Sequence, residues 1–316
     1  GDHNTMIVTN GAWVNPKRSI YVGGEPDSAT GWASFNTLLV TGSGSVVSNS
    51  GGNGDGIYIG KRGQGNRLVV TDGGTVRASY LYVGGMGNSS IGGFETSLEA
   101  TDSVIAARGH FYIGYTADAS NNVVRLVRST YTSSQYDLDV GRLGSDNLVS
   151  LEDGSSMTIP RSTYIGHYDG SSNNVLSVEN STFHGDQYQY CIVNNGGRIR
   201  VLGDSNTVFV GQLLLTNATS ALEFRVDTTN FTPIAVNYKA YLRDETKVMV
   251  DARNLRQAGV IGSVSVPLLS AGELLSADLG TMTVETQPVG CTVEVVGKKL
   301  VLTKVPGPPG TTVLIQ

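Results

Sequence analysis

Apolar and polar residues alternate in short runs that restart at near-regular intervals along the first two thirds of the chain. Each run has the form Asn-x-Φ-x-Φ, with Φ aliphatic, and ends near a glycine or serine. The clearest copies are Asn36-Thr37-Leu38-Leu39-Val40, Asn66-Arg67-Leu68-Val69-Val70, Asn122-Val123-Val124-Arg125-Leu126, Asn147-Leu148-Val149-Ser150-Leu151 and Asn174-Val175-Leu176-Ser177-Val178. Weaker copies begin at Thr96, Gly197 and Ser220, so the runs restart every 23 to 30 residues. A second signature falls between them, an aromatic, a branched aliphatic and a glycine. It occurs at Tyr21-Val22-Gly23, Tyr58-Ile59-Gly60, Tyr82-Val83-Gly84, Tyr112-Ile113-Gly114, Tyr164-Ile165-Gly166 and Phe209-Val210-Gly211, and as Asp139-Val140-Gly141 with the aromatic replaced.

A period of two is that of a strand with one buried face, and glycine, serine, asparagine and aspartate at its ends supply turns. The repeat beginning at Asn66 divides into three such strands, Leu68 to Thr71, Thr75 to Ala78 and Tyr80 to Val83. One three-strand coil buries too little to stand alone, whereas stacked coils share a core and pair their backbones with the coils on either side. The pattern therefore predicts an all-β, right-handed parallel β-helix of about eight coils. A propeller would repeat at about 40 residues, and a meander of hairpins would place Asn-Gly or Asp-Gly cleanly between long alternating runs. Neither fits.

The run Gly-Gln-Gly-Asn66-Arg-Leu-Val-Val-Thr-Asp-Gly-Gly74-Thr-Val, continuing to Leu-Tyr-Val-Gly84, resembles the repeat of autotransporter passenger regions. Related exported, surface-displayed proteins of environmental and gut bacteria carry it too. The resemblance covers roughly residues 9 to 226 and implies a β-helix that is secreted or displayed on the cell surface. Such passengers include adhesins and enzymes, so the resemblance leaves the activity open. A membrane barrel or C-terminal sorting helix is not recognisable in this sequence.

Aligning the coils on the tripeptide glycine sorts the flanking positions into faces. The residue before the glycine (Val22, Ile59, Val83, Ile113, Val140, Ile165, Val210) and the residue two earlier (Ile20, Ile57, Leu81, Phe111, Leu138, Thr163, Val208) form the expected core. By alternation, the residue between them points outward, giving a ladder of Tyr21, Tyr58, Tyr82, Tyr112, Asp139, Tyr164 and Phe209. At the usual strand spacing it would run on the order of 29 Å, enough for several sugar rings. The alternative is that the stacked rings only stabilise the sheet beneath the variable loops. Tyr58, Tyr82, Tyr112, Tyr115, Asp139 and Tyr164 are the candidate ligand- or partner-binding residues.

The coil in which Asp139 interrupts the ladder is the most polar one. It holds Asp137, Asp139 and Arg142, with Tyr115 and His167 at the Arg142 position of the adjacent coils. Strand rise would place the two carboxyl groups roughly 6–7 Å apart. Carboxylates beside Arg and His permit acid–base cleavage of a polysaccharide, so Asp137, Asp139, Arg142 and His167 are the candidate catalytic set. The competing readings are a solvated polar patch and a binding site. Three functions follow: a non-catalytic structural, adhesive or glycan-binding module, a polysaccharide lyase or glycoside hydrolase, and a phage tailspike, which would require a trimer. The first is favoured, since no coherent catalytic constellation stands out.

Past Ala221 the tripeptide disappears and longer alternating stretches follow, closing on a hairpin through Gly297-Lys298. Residues 1–226 are thus expected to be the repeats and 227–316 a β capping region, a separate small β-domain being the alternative. With 41 glycines and 16% charged residues, composition fits turn-rich β-structure. A net charge of −5 with scattered Lys and Arg gives no footprint for nucleic acid. No run approaches the roughly 20 apolar residues of a membrane-spanning helix. Gly1 reads as a remnant of tag removal, which would put any export signal upstream. Cys191 and Cys291 lack metal-site spacing and are expected as free thiols, a disulfide between them being the alternative. No metal or cofactor is expected. Asp72, Asp102, Asp153 and Asp204 precede turns and are read as turn caps, His110 and His184 receive no role, and Trp13 and Trp32 are expected to plug the N-terminal end.

Overall fold

The computed structural model describes residues 1–24, 32–52, 54–86 and 92–308. The chain forms a parallel β-solenoid: successive short strands contribute in turn to three long sheets of eleven, twelve and ten strands. The Asn-x-Φ-x-Φ runs build the first sheet, with Leu38 beside Leu68, Leu98 beside Val124, and Val149 beside Leu176. The tripeptides build the third, where Ile20, Ile57, Leu81, Phe111, Leu138 and Thr163 lie in register. Their aliphatic side chains fill one continuous core between the three sheets.

The asparagine of the first signature has a structural reason that alternation alone does not reveal. Asn122, Asn147 and Asn174 are wholly buried and stacked at the corner entering the first sheet. The backbone N–H and side-chain amide of Asn122 both donate to Asn147 Oδ1, and those of Asn147 donate to Asn174 Oδ1. A parallel row of serines does the same at the next corner, where Ser103, Ser129 and Ser155 each donate a backbone N–H to the hydroxyl of the following serine. A buried donor left without its acceptor costs roughly 1–3 kcal/mol. Asn147→Ala is therefore expected to lower stability by about that amount, seen as a lower urea midpoint at unchanged slope.

The stack does not stop where the repeat signature stops. Parallel pairing crosses residue 226 and continues through Ile234–Val236, Lys239–Leu242 and Lys247–Asp251 to Thr283–Gln287. Within 227–316, antiparallel pairing belongs to the hairpin Thr292–Val296 and Lys299–Val305, whose second strand also pairs with Gly262–Ala271. The turn at Gly297-Lys298 thus lies where alternation placed it.

Two expectations need correction. Phe209 is not a rung of the ladder: it lies in the second sheet, beside His184, and the third-sheet positions after Tyr164 are Ile192 and Leu214. Spacing carried the signal, since Phe209 follows its coil start by 12 residues where Tyr82, Tyr112, Asp139 and Tyr164 follow theirs by 16 or 17. Trp13 and Trp32 do not plug the core. Both are exposed, and the Trp13 indole N–H donates to Ser48 Oγ on the surface. Cys191 is buried, Cys291 half-buried, and both are free thiols. Asp72, Asp102 and Asp153 occupy left-handed turn positions, and Asp204 accepts the N–H groups of Asp227 and Thr228.

Candidate functional site

The outward column of the third sheet is continuous over six coils. Its register runs Tyr21, Tyr58, Tyr82, Tyr112, Asp139, Tyr164. The Tyr21, Tyr58, Tyr82 and Tyr112 rings follow one another at centroid distances of 5.1, 4.7 and 5.1 Å. The rings point away from the apolar core but are not an open platform. Tyr58 is wholly buried, its hydroxyl donating to Gly54 O and the Lys61 ammonium lying over its ring. Tyr112 is buried too, while Tyr82 and Tyr164 are half-buried. Burial raises the Tyr58, Tyr82 and Tyr112 hydroxyls above their ordinary value, so all three stay protonated at neutral pH.

The polar coil comes together much as its column positions imply. Asp139 is 2% exposed, and its carboxylate accepts from Arg142 Nη1 at 3.2 Å and from His167 Nδ1 at 2.6 Å. A carboxylate only accepts, so the His167 proton sits on Nδ1 and Nε2 is left as the second ring nitrogen. His167 is sandwiched between Tyr164 and Tyr168 at centroid distances of 3.9 and 4.2 Å. The Arg142 guanidinium lies about 5 Å from the rings of Tyr112, Tyr115 and Tyr168. An ion pair stacked between aromatics thus fills the gap where the ladder loses its tyrosine. Of the expected binding residues, Tyr82, Tyr112, Tyr115, Asp139 and Tyr164 surround this network, and Tyr58 lies further along the stack.

Asp137 does not pair with Asp139. It sits just before the strand Leu138–Val140, its Oδ1 accepting the Ser162 N–H and its Oδ2 lying 3.6 Å from His110 Nδ1. His110, assigned nothing from sequence, is central here. It stacks on Tyr112 at 5.0 Å and packs on Tyr136 at 4.6 Å and Tyr80 at 6.2 Å. The signal was available: His110 precedes Phe111 as Asp137 precedes Leu138, and those two residues are register partners.

Burial holds the His110 imidazole below its ordinary value near 6.5, against the opposing pull of Asp137. The unfolded chain takes up that proton as the pH falls through its ordinary value, while the folded chain still resists. Stability is therefore expected to fall as the pH drops below about 6.5. Urea midpoints from pH 7 to pH 5 should decline more steeply in the native chain than in His110→Gln.

At the edge of this band Tyr80, Arg108, Gly109, Gln135 and Tyr136 enclose a shallow cavity of about 210 Å³. A larger cavity of about 1000 Å³ lies at the far end of the solenoid, lined by Phe224, Val250, Asp251, Leu279 and Cys291 among others. Among the described residues no three His, Cys, Asp or Glu side chains converge as metal ligands would, and no helix is long and apolar enough to cross a membrane. The fold and this surface define a parallel β-solenoid with an aromatic and cationic band along one sheet. No protein-family model, curated protein or solved structure matches the chain.

Proposed function

We propose that the chain is a non-catalytic glycan-binding module, secreted or displayed on a bacterial surface, in which the solenoid serves as a rigid adhesive scaffold. The observation that carries this reading is the rim of the aromatic band. Tyr58 and Tyr112 are sealed within it, while Tyr136 is half-buried and Arg161 and Tyr168 are exposed beside it, on turns that flank the paired strands Leu138–Val140 and Thr163–Ile165. Sugars bind such surfaces through apolar ring faces on aromatics and polar edges on Arg and His. The resemblance of the repeats to autotransporter passengers supports the location, and the partner would be a polysaccharide or a cell-surface glycan.

The test is a glycan array with the full chain, followed by calorimetry on hits. Tyr136→Ala and Tyr168→Ala should each weaken binding about tenfold, the loss of one aromatic contact, in a protein that remains folded at the assay temperature. An empty array on a folded protein would remove this reading.

A second reading, polysaccharide cleavage, draws on the contact between the buried Asp139 carboxylate and His167 Nδ1. A carboxylate in that position orients an imidazole for proton transfer through Nε2. Polysaccharides incubated with the protein would then yield new reducing ends or unsaturated products, and His167→Ala would abolish them. Cleavage that survives this substitution would exclude the site.

A further inference from the structure

We propose that the N-terminal end of the solenoid is a docking face for one more coil of the same repeat, carried by the natural chain upstream, so that the coil beginning at Asn4 is an interior one. The inference stands apart from the glycan-binding reading. It rests on the polarity of the asparagine corner. Asn4 donates its backbone N–H and its side-chain amide to Asn36 Oδ1, both at 3.0 Å, and Asn36 donates in the same way to Asn66 Oδ1. Each asparagine thus receives two hydrogen bonds from the coil ahead of it. Interior ones reach back as well: the Asn66 amide donates to Ala33 O and the Asn174 amide to Gly144 O, carbonyls three residues before the preceding asparagine. Asn4 has neither contact. Among the described residues no donor reaches its Oδ1, and its amide reaches back to no carbonyl.

The rest of the face is core left open. Met6 shares a column with Leu38 and Leu68, yet it is 50% exposed where Leu38 is 3% and Leu68 0%. Val14 and Ile20 are half-buried at positions where Val47 and Ile57 are buried. Met6, Ile20, Val22 and Leu38 line an open cleft of about 320 Å³ between the first and third sheets. Thr5–Val8, Trp13–Val14 and Ile20–Val22 are the terminal strands of the three sheets, and none contains a charged residue or proline, the usual blocks to further pairing.

A second copy of the chain fits this face less well. Related by a two-fold, it would lay its Thr5–Val8 antiparallel and carry its own Asn4 to the far end of the strand. Stacked head to tail, it would bring Met282 to the corner, whose N–H already donates to Asp278 O. The corner calls for an asparagine entering a parallel strand, which is how the repeat itself begins.

The experiment is hydrogen exchange on this chain and on the natural protein carrying one further repeat length of its upstream sequence. That sequence should hold Asn-x-Φ-x-Φ one repeat interval ahead of Asn4. In the longer protein the amides of Thr5–Val8 that face the open edge should exchange at least about tenfold more slowly. Asn4→Ala should lower the urea midpoint more in the longer protein than in this one, because only there does Oδ1 receive hydrogen bonds. An upstream stretch without the pattern, or equal exchange in the two proteins, would overturn the proposal. Slowed exchange with equal losses from Asn4→Ala would overturn the role of the corner. If this chain sediments as a dimer with Thr5–Val8 protected, and as a monomer after Met6→Lys, the face belongs to a second copy and the upstream coil is excluded.

Discussion

Replacing Gly141 with alanine is expected to destabilise the protein by about 2–5 kcal/mol, by two independent costs. Its φ is +74°, the left-handed region, where an L side chain costs roughly 1–2 kcal/mol. A Cβ built there would overlap the Asn174 amide, and overpacking of this kind adds about 1–3 kcal/mol. The collision also threatens the ladder, because Asn174 Oδ1 accepts two hydrogen bonds from Asn147 and its amide donates to Gly144 O. Gly154 offers the control. It has φ +86° with nothing within 4 Å of an added methyl carbon, so Gly154→Ala should cost only the backbone strain, about 1–2 kcal/mol. Urea unfolding of the two variants side by side measures the difference. Equal losses would show that the Asn174 contact relaxes at no cost.

Asp139→Ala is expected to lower stability by about 3–5 kcal/mol, the scale for removing one partner of a buried ion pair. The variant would leave Arg142 and His167, both largely enclosed by tyrosine rings, without their shared anion. Asp139→Asn keeps the shape and one acceptor, and should cost less, about 1–3 kcal/mol. Coupling can be isolated with Arg142→Met. If the pair matters as a pair, Asp139→Ala/Arg142→Met will lose less than the sum of its single variants. Additivity, or a loss under about 1 kcal/mol for Asp139→Ala, would show that the ion pair contributes little net stability.

Far from the site the ion pairs are of another kind. Arg67 with Glu99 and Arg125 with Glu152 bridge neighbouring coils across the outer face of the first sheet. Such exposed pairs contribute little, about 0–1 kcal/mol each.

What the sequence determined by itself was the coil. A period of two assigns each residue of a five-residue strand to core or surface without reference to the rest of the chain, so Leu68, Val70, Val149 and Leu151 were legible as interior. The recurring glycine was legible too, though its purpose was not: its left-handed conformation is local, whereas the Asn side chain that excludes a Cβ comes from another coil. The same holds for the asparagine, whose acceptor role exists only once another asparagine is stacked against it.

What only the tertiary structure decided was which residues of different coils meet, and what covers them. An aromatic, an aliphatic and a glycine in sequence do not by themselves mark one position in the coil; Phe209 carries that signature and lies in the second sheet. Alternation correctly turned Tyr58 and Tyr112 away from the core, but side chains facing outward from a strand can still be sealed by a neighbouring turn or by rings from adjacent coils. Asp139 likewise read as a surface carboxylate and proved to be a buried one, because Arg142 of its own coil, His167 of the next and Tyr112 of the one before enclose it only when three coils are stacked in register.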